Sequence, residues 1–236
     1  MVKLSVNINK IATLRNARGG NIPNVVQAAI DCQNFGADGI TVHPRRDERH
    51  ITKQDIYDIK RVINTEYNIE GYPSSEFIKM IIEIKPDQVT LVPDGDNVIT
   101  SDSGWDTIEH NDFLIKVINQ FKQHAIRTSI FVNPEERMIQ AAKNIGTDCV
   151  ELYTGDYALQ FNKNKEEAIS PYILASKKAE KLDVGVNAGH DLDLYNLEYF
   201  SNNIKNLKEV SIGHALISDS IYLGLENTIQ MYKRLL

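Results

Sequence analysis

Asp38-Gly-Ile-Thr-Val-His43 is a short β-branched run, Thr52 to Ile63 is an amphipathic stretch, and Asn68-Ile-Glu-Gly-Tyr72 is a second short run. The middle stretch opens on Thr52 with Asp55 three residues later, the spacing of a capping box. Behind it Ile56, Ile59, Val62 and Ile63 form one apolar stripe. Strand, helix and strand in that order predict two parallel strands joined by a right-handed crossover.

The same unit recurs outward in both directions. The predicted strands are Lys3–Asn9, Asp38–His43, Asn68–Tyr72, Gln88–Pro93, Arg127–Val132, Cys149–Thr154, Asp183–Ala188 and Glu209–His214, all rich in Val, Ile, Thr or aromatic residues. Between them, Phe113, Leu114, Val117, Ile118 and Phe121 form another apolar stripe. Asn133-Pro134 predicts a helix start, with Met138, Ile139 and Ala142 on one face and Gly146 at the end; Gly36 closes the first helix similarly. Eight such units in 236 residues predict an α/β fold, a closed (β/α)₈ TIM barrel, with residues 1–236 as one domain. The rival, an open doubly wound sheet, usually carries a glycine-rich loop after its first strand. Here Lys10-Ile-Ala-Thr-Leu-Arg15 follows it instead.

Apolar residues at 42% and charged residues at 25% build an ordinary core that needs no disulfide or metal staple. The net charge of −6 argues against nucleic-acid and membrane-surface partners, so any anionic ligand must be held by local features. Cys32 and Cys149 lack metal-ligand spacing and read as small buried hydrophobes of a reduced compartment. The start lacks an apolar leader, and no apolar run approaches the roughly 20 residues of a membrane span, which makes the cytoplasm the expected location.

In this fold the chemistry lies where strands end. His43, His190 and His214 all fall at predicted strand ends, with His50 in the loop after His43; His110 and His124 read as solvated surface residues. Glu70 lies inside a β-rich run, where a carboxyl is costly to bury unless paired or raised in pKa, the signature of a candidate general base. Glu151 has the same setting, with a structural salt bridge as its alternative. Arg15, Arg18, Gly19 and Gly20 after strand one, and the Gly-His pairs 189–190 and 213–214, are candidate phosphate-binding features. Asp94–Asp112 and Gly155–Ser170 read as long loops able to act as lids.

Taken together, Ile11-Ala-Thr-Leu-Arg-Asn-Ala-Arg-Gly19, Gly36-Ala-Asp-Gly-Ile-Thr-Val-His43, Asp47 with Arg49-His-Ile51, Asn68-Ile-Glu70, Lys85-Pro86 with Leu91-Val-Pro93, Tyr153-Thr-Gly155, Val186-Asn-Ala-Gly-His190 and Ile212-Gly-His-Ala215 resemble one family over essentially the whole chain. It is the pyridoxine 5′-phosphate synthase family of the deoxyxylulose-dependent vitamin B6 pathway. The resemblance implies a barrel with additional helices, no metal, no organic cofactor and a homo-octamer. It implies condensation of 1-deoxy-D-xylulose 5-phosphate with 3-amino-2-oxopropyl phosphate to pyridoxine 5′-phosphate, phosphate and water.

Residue by residue, the resemblance implies His43 and Glu70 as catalytic acid/bases, His190 as proton donor and Glu151 as transition-state stabiliser. Asn7, Arg18, Gly213 and His214 match positions that hold the amino-ketone phosphate; Arg45, His50 and Thr100 match contacts to deoxyxylulose phosphate. Asn9-Lys10 stands where much of the family has Asp-His. Asp191 replaces a common Gly at a largely backbone contact, and Tyr153 replaces a common His. The alternative is another phosphate-binding barrel enzyme, a sugar-phosphate epimerase or aldolase; an aldolase would need a Schiff-base lysine, for which Lys10 is the candidate. A metal-dependent hydrolase would need a ligand cluster that the sequence does not carry.

Overall fold

The computed structural model describes residues 1–93 and 103–236. The elements in chain order are β1 (Lys3–Asn7), α1 (Asn9–Arg18), α2 (Val25–Asn34), β2 (Gly39–Val42), α3 (Lys53–Lys60), β3 (Glu66–Gly71), α4 (Ser75–Ile84), β4 (Gln88–Leu91), α5 (Asn111–Gln123), β5 (Arg127–Val132), α6 (Glu136–Ile145), β6 (Cys149–Tyr153), α7 (Gly155–Phe161), α8 (Lys165–Lys181), β7 (Gly185–Gly189), α9 (Leu197–Asn203), β8 (Leu207–Ile212), α10 (His214–Leu223) and α11 (Leu225–Lys233). The strands pair in sequence order, all parallel, and β8 closes back on β1. Every predicted strand is present, with ends shifted by up to two residues. No helix among the described residues is long and apolar enough to cross a membrane.

Strand residues alternate between two environments. Leu4, Val6, Ile40, Val42, Tyr67, Ile69, Val89, Leu91, Ile130, Val132, Val150, Leu152, Val210 and Ile212 are buried with the helix stripes in one apolar shell. The intervening residues face into the barrel. Branched apolar side chains dominate that interior in most barrels of this type, but here it is polar. Ser5 and Thr41 hydroxyls share a hydrogen bond of 2.6 Å, and Asn187 on β7 donates across the ring to Gln88 on β4 at 3.2 Å. Near the strand starts Glu66 pairs with Lys3 at 2.9 Å and with Arg127. Most buried polar groups are hydrogen-bonded, and the bonded ones here form a platform beneath the strand ends.

The capping box at Thr52 and Asp55 is present, and Gly146 ends α6 in the left-handed conformation. Three expectations are corrected. The first predicted helix is α2, because α1 directly follows β1; only Ala12 and Arg15 of α1 are buried, so it shows no apolar stripe. Helix α6 begins at Glu136, not at Asn133-Pro134, because the Asn133 side chain accepts from Gly104 N at 3.0 Å instead of capping. The 155–170 segment is not a loop. It is α7 and the first turns of α8, whose polar residues form a solvated face and whose start is capped by Asn164 accepting from Glu167 N at 3.1 Å. Of the other long segment, 94–102 lies outside the described residues; beyond it Trp105 N bonds Phe131 O at 2.8 Å.

Candidate active site

At the C-terminal ends of the strands the inward positions are Asn7, His43, Glu70, Glu151 and Ser211. The Glu70 carboxyl accepts from Asn7 Nδ2 and from Ser211 Oγ, both at 3.4 Å. His43 Nδ1 stands 3.8 Å from Glu70 Oε2. That contact is not an ion pair. Burial, with Arg45, His50 and Arg49 adding to it, holds the His43 pKa well below its ordinary value, so the imidazole is neutral. A carboxyl and a neutral imidazole, both buried and almost in contact, can pass a proton between substrate atoms.

Glu151 sits one strand pair from His190. Burial drives its pKa up to about 7, against a hydrogen bond from Thr90 and the charge of His190. A carboxyl there exchanges protons readily near neutral pH. The glycine before His190 leaves room for the Glu151 carboxyl: a Cβ on Gly189 would displace Glu151 Oε1. The Tyr153 ring stands 5.3 Å from the His190 ring, edge-on.

His50 is buried, and burial, Arg45, Lys10 and Arg49 lower its pKa to about 4. Its Nδ1 accepts from Ile51 N at 3.0 Å, so Nε2 carries the proton and is a donor. Asn9 Oδ1 accepts from His43 N at 3.0 Å, which ties the start of α1 to the end of β2. Lys10 is exposed beside it, as is Arg18 at the last position of α1. Gly213 precedes α10, which has no side-chain cap, so the first N–H groups of the helix are open to an anion. A Cβ there would come within 3.1 Å of Asn7 Cβ; glycine lets the two strand ends close together. His214 is exposed at the first turn.

One phosphate candidate is reassigned. Arg15 is buried and clasps Asp55 at 2.6 and 2.8 Å while donating to His50 O at 3.1 Å; its guanidinium is committed to the fold. Thr100 lies outside the described residues. Among the described residues, no three His, Cys, Asp or Glu side chains gather as metal ligands would.

Residues 4–236 match a family model described as Pyridoxal phosphate biosynthesis protein PdxJ. The chain belongs to that family. A pyridoxine 5′-phosphate synthase of Bacteroides fragilis (strain YCH46) is 60% identical to it over 236 residues, all of both chains. One of Cytophaga hutchinsonii is 60% identical over 234 residues, 99% of this chain and 98% of its own. A solved phosphoribosyl anthranilate isomerase from Thermotoga maritima superposes with a TM-score of 0.60 at 12% identity, covering 100% of this chain and 98% of its own. A solved 4-hydroxy-2-oxoglutarate aldolase gives a TM-score of 0.63 at 10% identity, covering 98% and 92%. At such identities the likeness to both shows the barrel alone.

Within this PdxJ-family site, sequence reasoning missed Ser211, Thr90 and the Arg15–Asp55 clasp. Ser211 stands two residues before Gly213, so strand alternation could have found it; Thr90 lies on β4, a strand with no candidate residue to count from, and shows itself only by its hydrogen bonds to Asn68 and Glu151. The raised Glu151 gives a measurable signature. Its folded pKa of about 7 exceeds its ordinary 4.5, so the folded state binds the extra proton and wild-type stability falls as pH rises across that window. In Glu151→Gln this loss is absent. Urea unfolding at pH 5 and pH 8 is expected to show the variant gaining about 2.5 kcal/mol relative to wild type between the two. An unchanged difference would overturn the assignment.

Proposed function

We propose that the protein condenses 1-deoxy-D-xylulose 5-phosphate with 3-amino-2-oxopropyl phosphate, giving pyridoxine 5′-phosphate, phosphate and water. The observation that carries this reading is the rim cluster of a buried Glu70, a neutral His43, a Glu151 with pKa about 7 and His190, all at strand ends of one barrel. The reaction is a series of proton transfers: amine attack on a ketone, dehydration, enolisation, phosphate elimination and ring closure. Each step needs a positioned acid or base and no change of oxidation state in the protein.

Glu70 takes a proton from carbon or nitrogen, and neutral His43 beside it relays it. His190 gives a proton to a leaving oxygen, and Glu151 stabilises the charge that develops next to it. The amino-ketone phosphate is held by the open α10 N-terminus at Gly213 and His214, with Asn7 and Arg18. Deoxyxylulose phosphate is held by Arg45, His50 and Thr100, with Asn9, Lys10 and the Asp191 backbone contributing. The similarity of the Bacteroides and Cytophaga relatives supports this substrate pair. The reading extends to a transferase of one barrel unit, residues 1–236, working in the cytoplasm as a homo-octamer without metal or organic cofactor.

Wild-type protein supplied with both substrates is expected to release pyridoxine 5′-phosphate, followed by chromatography, and to release none when either is omitted. Absence of product with both present would sink the reading.

A further inference from the structure

His190 and Asp191 are consecutive residues, yet their side chains meet: His190 Nδ1 and Asp191 Oδ2 are 2.7 Å apart. In extended backbone, successive side chains point to opposite faces. Here both residues are left-handed, with φ of 82° and 56°, a conformation that is unfavourable for non-glycine residues and persists only when the surroundings enforce it. The surroundings do so. The buried Thr154 hydroxyl donates to Gly189 O at 2.7 Å and also to His190 O. The buried Asn196 donates from Nδ2 to Asp191 O at 3.2 Å, and its Oδ1 accepts from Asp193 N at 3.0 Å. A turn clamped on its carbonyls at 189, 190 and 191 holds a strained geometry whose visible product is the carboxylate-imidazole pair.

We propose that Asp191 is the positioning residue of His190: it keeps a proton on Nδ1 and makes Nε2 the nitrogen through which the reaction's protons pass. This rests on the proton-transfer reading of the site given above. An ionised carboxylate only accepts hydrogen bonds, so a partner 2.7 Å away must donate. Asp191 is ionised: its bond to His190 holds its pKa below the ordinary value, and His214 on the next strand end adds to this. A neutral histidine in water carries its proton mostly on Nε2. Asp191 reverses that preference and locks the ring plane, with the Tyr153 ring packed against it at a centroid distance of 5.3 Å. Neutral His190 then presents a lone pair at Nε2, protonated His190 presents a proton there, and the ring need not flip between the two roles.

Asp191→Asn is close to isosteric, and asparagine tolerates the left-handed region, so the turn survives. Turnover with both substrates is expected to fall about 10- to 100-fold, as when an orienting carboxylate behind a histidine is lost. KM for each substrate is expected to stay within about twofold, because ground-state binding is untouched. Asp191→Glu is expected to recover part of the turnover. Neutron diffraction from deuterium-exchanged wild-type crystals at neutral pH is expected to place deuterium on His190 Nδ1, a readout independent of activity. A bare Nδ1, full turnover in Asp191→Asn, or a loss confined to KM would each overturn the proposal. If wild-type protein makes no product while Nδ1 is deuterated, the functional reading fails and the pair stands.

Discussion

Glu70→Gln is expected to lower the rate of pyridoxine 5′-phosphate formation by about 10²–10⁴-fold, the range that a positioned general base contributes. A carboxyl on an inward strand position is costly to bury. Glu70 accepts from Asn7 and Ser211 at 3.4 Å, and the neutral His43 imidazole stands 3.8 Å away. A carboxyl next to a neutral imidazole can bind a proton and pass it on. Glutamine fills the same volume and keeps the Asn7 and Ser211 neighbourhood, so the fold is preserved while the base is removed. Turnover should fall with KM nearly unchanged. Activity within about threefold of wild type would remove Glu70 from the mechanism and leave His43 as the base.

The barrel and most of this cluster were legible because strands announce themselves locally. Gly39–Val42 and Cys149–Tyr153 are β-branched or apolar runs, and the polar residue at an inward position, His43 or Glu151, interrupts the pattern visibly. The resemblance over the whole chain supplied the roles. What was not legible depends on tertiary geometry. Helix α1 has no apolar stripe to announce it, because its ten residues bury only Ala12 and Arg15; its place is set by an ion pair to a residue 40 positions away. The run Gly155–Ser170 is polar because its helices are solvated on one side, and polarity alone does not separate that from a loop. The meeting of His190 and Asp191 requires two left-handed residues, which no local pattern of a histidine and an aspartate signals.

The same clasp that hid α1 predicts the largest stability effect. Arg15→Ala is expected to destabilise the fold by about 3–5 kcal/mol, the cost of leaving a buried charge without its partner. Asp55 is buried, and burial alone would raise its pKa; the bonds from Arg15 and from Thr52 outweigh that and hold it below its ordinary value. Removing Arg15 leaves Asp55 with Thr52 N at 2.7 Å and Thr52 Oγ1 at 2.8 Å, and removes one of two donors to His50 O, the other being Asn16 Nδ2 at 2.8 Å. The loss therefore reaches the loop that carries His50 and Arg45. A depressed carboxyl pKa contributes stability above its unfolded value and loses it as pH falls through the folded one. The gap between wild type and Arg15→Ala is thus expected to be full at pH 7 and to narrow below about pH 4. Arg15→Ala combined with Asp55→Asn should recover part of the loss at pH 7, because the unpaired charge is gone. Urea unfolding at matched protein concentration measures all three. A single-variant loss under about 1 kcal/mol at pH 7 would show that α1 is held by its backbone contacts and not by the clasp.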